Sequence, residues 1–463
     1  MNFNLKTTIG ARVTIYLFIC VLLNILFDNI YIGLVLVSFI EIVTQINRNN
    51  FISTYTFWNL GFITIICLDG ILSRDEIILK TSLSNYNYTS YLFLISQLLI
   101  ITTYRVFEKR KFKDVFEGFY IEVKDKLKPL TFLLIIILYF FFLFYEFPNA
   151  FNSFFTSRFE IIRGREFGGL EGAKRSVFSS IAYFISGFAG YILPSLIFIW
   201  FNRRFSPLLS FLLSLFPSGI IWFIYLVIGT RHHILFSFLG LVGTYSLINS
   251  HKIKFRYSFI VLLVAGYFIS NKIVDIRRHG FVNYLLGEKI EKYEKVTKDY
   301  STDKTTVYLN YVVDYYEEEN LRYGQSTLAV IFFWVPRKFW PEKPPQFGYW
   351  FIRDYLGGQK GFGDKFSAPA SYLGVPYSDF AIVGVILISL FIGWLSNFVD
   401  EYFRKNSVFK SNKQVVILSF CLASFFFLPR QLNQFFSKFI VIVILLNFLF
   451  YINRISLVYK NDK

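Results

Sequence analysis

Three cysteines in 463 residues exclude a disulfide framework. Cys20, Cys67 and Cys421 each fall inside an apolar segment, at spacings that suit neither a metal site nor a redox pair, and are expected to be packing residues. Four histidines and scattered acids give no cluster with metal-ligand spacing, so no metal or cofactor is expected. The nearest approach is "RHH" at 231–233, where adjacent histidines on a helix point to different sides and cannot readily hold one ion. Also absent are internal repeats, low-complexity linkers and a second soluble domain. "RGREFGGLEG" and "GGQKGFGDK" are glycine-rich, but neither follows an expected strand nor opens a helix with Lys-Ser/Thr, which argues against nucleotide binding. They fit either flexible segments that close over a ligand or plain surface loops.

What the chain has in abundance is apolar surface. Hydrophobic residues make up 54% of it and aromatics 21%, in runs near the length of a bilayer span that recur from end to end. The expectation is an all-α polytopic membrane protein, a single transmembrane domain over 1–463. Hydropathy places about twelve helices, at roughly 10–27, 30–46, 51–70, 88–106, 130–147, 177–201, 207–228, 232–249, 257–273, 380–399, 415–429 and 437–453. The first, "RVTIYLFICVLLNILF", has no small-residue cleavage site and is expected to be retained as a span.

A formal charge of +17 invites nucleic acid as a partner, but the excess lies largely in short loops between spans. Alternate connections, including "NRNN", "NRR", "SHKIKFR", "DEYFRKNSVFKSNK" and the tail, are far richer in Lys and Arg than the short loops between them. That bias puts both termini in the cytoplasm and argues against nucleic acid as a partner. The inside stretch 107–128 has Phe112, Phe116 and Phe119 available to one face, with Lys111, Lys113, Lys124 and Lys126 nearby. It reads equally as a helix on the membrane surface, against anionic lipids, or as a solvated connector.

Two outside segments break the pattern. The first, 148–176, reads "PNAFNSFFTSRFEIIRGREFGGLEGAKRS" and carries Arg158, Arg163, Arg165, Lys174 and Arg175 on the cation-poor side. The second, 274–379, is the longest hydrophilic stretch and includes Arg277, Arg278 and His279 in "VDIRRHGF", then "FFWVPRKFWPEKPPQFGYW" around Arg337. Arginine offers a planar, permanently charged fork that grips phosphate oxygens, so cations from separate loops suit a diphosphate at the outer membrane boundary. The competing explanation pairs them with Glu160, Glu166 and Glu171, or with lipid phosphates. In the second segment Pro336, Pro341, Pro344 and Pro345 exclude a regular long helix, and Trp334, Phe339, Trp340, Phe347, Tyr349 and Trp350 suit headgroup depth. Either a re-entrant or surface-lying loop that presents Arg337, or a simple interfacial anchor, follows from this.

In both segments an arginine is followed after ten residues by glycine: Arg158 by Gly169, and Arg337 by Gly348. With "LVIGTRHHILFSFLGL", "VPRKFWPEKP" and "GVPYSDFAIVGVILISLFIGWL", in which Gly384 follows an aromatic after a short gap, this resembles the Wzy-type oligosaccharide repeat-unit (O-antigen) polymerases. The resemblance covers roughly 130–400 and implies the wider polyprenyl-linked glycosyltransferase (GT-C-like) group, which also holds the O-antigen ligases. It implies a multi-pass protein of the bacterial cytoplasmic membrane that joins undecaprenyl-diphosphate-linked repeat units into O-antigen or capsule. Donor and acceptor are both lipid-linked, and the partners implied are a chain-length regulator and a flippase. On that footing Arg158, Arg163, Arg165, Arg231, Arg277, Arg278 and Arg337 are the cations for the departing diphosphate. His279 is the first choice of base for the acceptor hydroxyl, against an interfacial role for it and against Glu160, Glu342 and Asp354 as competing bases. A ligase shares the leaving group and differs in acceptor. A flippase needs cations deep in the spans, where the sequence shows few charges.

Overall fold

The computed structural model describes residues 8–47, 52–108, 129–146, 190–228, 231–248, 282–283, 286, 304–333, 335, 339–354, 369–405, 412–432, 439, 442–449 and 451. Among them there is no strand, only an isolated bridge between Ser371 and Gln431. Among the described residues, five helices are long and apolar enough to cross a membrane: α1 (Ile9–Phe27), α2 (Ile30–Asn47), α3 (Thr54–Leu72), α5 (Leu83–Glu108), and Ser371–Tyr402 within a longer helix described below. A short helix, α4 (Arg74–Lys80), joins α3 to α5. Further along, the chain adds apolar helices α6 (Pro129–Glu146), α7 (Gly190–Phe201), α8 (Pro207–Ile228) and α9 (Arg231–Ile248). The large loop contributes α10 (Thr305–Glu318), α11 (Gln325–Ile331) and α12 (Phe347–Asp354), followed by α13 (Ser371–Lys405) and α14 (Asn412–Phe427). The described part of the chain is thus all-helical, with the apolar helices of a membrane protein.

Two compact units divide the chain. The first comprises Met1–Tyr120, Thr302–Ser407 and Phe425–Phe436. The second comprises Ile121–Ser301, Val408–Ser424 and Ser437–Lys463. In the second unit, helix packing uses small and hydroxyl side chains: Thr244 of α9 bonds Ser419 of α14 (2.8 Å) beside the close approach of Gly243 to Ser419. Without a hydrophobic drive between helices in lipid, such contacts carry association.

In the first unit, α1 crosses α2 where Gly33 meets Cys20, so that cysteine is indeed packed between helices. A polar seam then ties the bundle together. Gln97 of α5 accepts from Trp58 Nε1 (3.0 Å) and donates to Asn59 (2.8 Å) and Ser38 (3.1 Å), while Ser96 bonds Tyr372 (2.7 Å) and Ser389 (2.6 Å) of α13. Helix α3 contains a π turn at Phe62–Cys67 just past Gly61, where a Cβ would overlap the Phe426 carbonyl. The extra residue of a π turn rotates everything beyond it by roughly 100° relative to an unbroken α-helix.

The spans are less free of charge than hydropathy suggests. Glu41 of α2 is fully buried and accepts from Arg12 (3.2 Å), Tyr16 (2.6 Å), Tyr55 (3.0 Å) and Arg105. Arg105 also pairs with Glu108 (2.9 Å) and lies over the rings of Tyr55 and Tyr104, which stack at 3.9 Å. Asp400 of α13 receives the backbone N–H (2.6 Å) and hydroxyl (2.8 Å) of Thr54 at the start of α3, and the Tyr104 hydroxyl (3.0 Å). These groups gather the start of α1 and α3 and the ends of α2, α5 and α13 at one end of the unit. Their charges are paired or hydrogen-bonded within the bundle, which is how charge is tolerated there.

Helix α13 is broken. Pro376 lies in its first part, and Phe380 (φ −143°) and Ala381 (φ 47°) leave helical geometry, separating a buried half-helix 371–379 from the span beyond. Gly384 sits against the Pro376 carbonyl, where a Cβ would overlap it, so the glycine singled out in "GVPYSDFAIVG" serves the tight return of the chain at this break.

Candidate functional site

The end of the first unit opposite Glu41 is where the large loop is fastened. Neither α10 nor α11 caps itself: the residues before them, Lys304 and Gly324, give no side-chain cap. Both caps come from the spans. Asp69, turned to this side beyond the π turn, accepts from the Thr306 N–H (2.8 Å) and its hydroxyl. Asp379, last residue of the half-helix, accepts from Ser326 N (3.0 Å), Thr327 N (2.7 Å) and Thr327 Oγ1 (2.6 Å). A carboxylate at a helix N-terminus meets the unpaired N–H groups and the positive end of the dipole together. Around these caps, Asn85 donates to Asp314 (2.8 Å), Thr89 to Asn310 (3.1 Å), and Lys304 pairs with Glu76. Burial pushes the Glu76 carboxyl up, but hydrogen bonds from Lys304 and Lys80 outweigh it and hold it below the usual range.

Past the caps, the loop is built from aromatic and cationic contacts. The Arg322 guanidinium stacks 4.1 Å from the Trp350 ring centre, and its backbone N–H donates to Ser378 O (2.9 Å) at the end of the half-helix. Trp350 of α12 also stacks on Tyr316 and meets Tyr315 edge-on. Lys343 Nζ donates to the carbonyls of Phe333 (2.7 Å) and Val335 (3.0 Å), ten and eight residues earlier in the chain. Of the cations in the proline-rich motif, Lys343 is therefore a staple. Trp340 meets Phe332 edge-on, and Glu342 is exposed on the turn between them and Lys343.

Among the site residues expected from sequence, Arg231 alone is described, as the first residue of α9 in the second unit. Two residues on, His233 lies between the rings of Tyr191 (4.7 Å) and Tyr225 (4.8 Å). Arg158, Arg163, Arg165, Arg277, Arg278, His279 and Arg337 lie outside the described residues, as do the first basic segment 148–176 and most of the surface stretch 107–128. Asp354 ends α12.

Asp69, Asp379, Lys343 and Arg322 were not legible as fasteners. The available signal was indirect: two helical runs opening on "TT" behind Lys304 and on "QST" behind Gly324, and two aspartates at the edges of apolar spans. No family model, curated protein or solved structure matches the chain.

Proposed function

We propose that this protein is a glycosyltransferase of the outer face of the bacterial cytoplasmic membrane, joining undecaprenyl-diphosphate-linked repeat units into a surface polysaccharide. The observation that carries it is the docking of the large loop. Two of its helices are capped by Asp69 and Asp379, and Lys343 holds the carbonyls of Phe333 and Val335, so its described part is a built platform at the ends of the spans. A platform there meets a substrate that is half lipid and half glycan.

In the proposed step, an acceptor hydroxyl oxygen attacks the anomeric carbon of the donor glycan, and the bond from that carbon to the diphosphate oxygen breaks. The hydroxyl proton passes to a base, for which His279 is proposed, and the electron pair leaves with the diphosphate. Arg158, Arg163, Arg165, Arg231, Arg277, Arg278 and Arg337 are proposed to neutralise the charge that develops there. Arg12 and Arg105 are committed to Glu41, which weighs against a flippase drawing on them for an anionic headgroup.

The test is the glycan ladder in cells lacking the protein, complemented with wild type, Arg158→Ala, Arg337→Ala or His279→Ala at matched expression. Single repeat units on deletion, with no ladder restored by the arginine variants, is the expected result. Long chains stranded on the carrier identify a ligase instead, and repeat units held on the cytoplasmic leaflet identify a flippase.

A further inference from the structure

The chain from Tyr323 to Pro336 holds no charged residue, lying between Arg322 and Arg337. Within it α11 is two-faced: Ser326, Ala329 and Val330 are buried, while Leu328, Ile331 and the following Phe332 are exposed on one side. Phe339 is 77% exposed. Exposed apolar side chains so close together on a loop outside the spans require something to cover them.

The depth of α11 says what covers it. Residues 382–399 of α13 carry no charge, and at about 1.5 Å per residue they match a hydrocarbon core of roughly 30 Å. Their exposed side chains Ile382, Val383, Ile386, Leu387 and Leu390 recur at helical spacing as a lipid-facing stripe. The break at Phe380–Ala381 therefore stands at the edge of the core. Helix α11 starts at that level: Ser326 and Thr327 are bonded to Asp379, and Phe380, itself exposed, reaches to Gly324. The start of α11 is thus fixed at the level where the exposed stripe of α13 begins.

We propose that α11 lies in the interfacial layer of the bilayer, with Leu328, Ile331, Phe332 and Phe339 immersed among lipid chains. The large loop is then held from two sides, by the span aspartates within the protein and by the lipid outside it. A seven-residue helix with its apolar side down and basic residues flanking it in sequence has the composition of a monotopic anchor. The contact goes beyond the proposed glycosyl transfer and does not depend on it, although it fixes the depth at which the segment leading to Arg337 leaves the spans.

Single cysteines at Ile331, Phe339, Val383 and Glu319 test this in the full-length protein. Each carries a nitroxide label in vesicles of phosphatidylethanolamine and phosphatidylglycerol, and collision rates with oxygen and with a water-soluble nickel chelate are measured. The native cysteines are buried, so wild type treated in parallel gives the background, and all four substituted side chains are exposed. The expected result is an oxygen-to-nickel ratio at Ile331 and Phe339 several-fold above that at Glu319 and close to that at Val383. A ratio equal to that at Glu319 overturns the proposal. So does protection from both probes, which would mean that protein covers this face. Neither readout involves glycan, so loss of this proposal leaves the ladder test untouched, and the reverse.

Discussion

Glu41→Gln is expected to destabilise the protein by about 3–5 kcal/mol, the cost of leaving a buried charge without its partner. The carboxylate is fully buried and takes two arginines and two tyrosine hydroxyls. A neutral amide can satisfy some of these donors, but it leaves the Arg105 charge, held among Tyr55 and Tyr104, with Glu108 as its remaining carboxylate. Arg12 is the more exposed partner, so Arg12→Gln is expected to cost far less. The double variant Glu41→Leu with Arg105→Met removes both charges and is expected to recover a good part of the loss, because an apolar pair of similar volume often replaces a buried ion pair without penalty. Monodisperse protein remaining after graded heating in detergent compares all three variants with wild type. A single-variant loss below about 1 kcal/mol would put the Glu41 pairs in the class of solvent-screened bridges.

The second large effect is local. Asp379→Ala removes two backbone caps and a hydroxyl bond from α11, and a lost N-cap costs roughly 1–2 kcal/mol. The span bundle does not depend on it, so global heating should change little. Opening of residues 323–346 should rise by about tenfold or more, since about 1.4 kcal/mol is tenfold in an equilibrium, and proteolysis of a briefly opened segment follows the open population. Limited proteolysis with mapping of the cut sites checks this. Asp69→Ala should instead release the start of α10. Cleavage within 323–346 at the wild-type rate in Asp379→Ala would remove the carboxylate from its fastening role.

How much of this was legible follows from what each signal measures. Apolar run length reports burial in lipid, so the spans read at 10–27, 30–46 and 207–228 agree with Ile9–Phe27, Ile30–Asn47 and Pro207–Ile228 to within a residue or so. The span read from 380 begins at the break in α13. The half-helix before it, with Pro376, Ser378 and Asp379, was passed over because it is buried in protein and is too polar to register by hydropathy. The Tyr-rich α10 was missed for the same reason. The π turn leaves no pattern in an apolar run, and with it went the direction of Asp69. Glu41, Arg105 and Asp400 were visible as letters, but their pairing spans 64 residues in one case and 346 in another, separations that no local periodicity carries. Of the motif's cations, Lys343 proved to hold backbone carbonyls, a role that charge and placement alone do not distinguish from phosphate binding.

The most direct measurement uses the purified protein in vesicles supplied with undecaprenyl-diphosphate-linked repeat units from its own host. Products that lengthen by whole repeat units, with undecaprenyl diphosphate released at each addition and none formed by Arg337→Ala, are the expected result. Repeat units that remain single, in protein that is folded and correctly inserted, would contradict polymerisation by this chain.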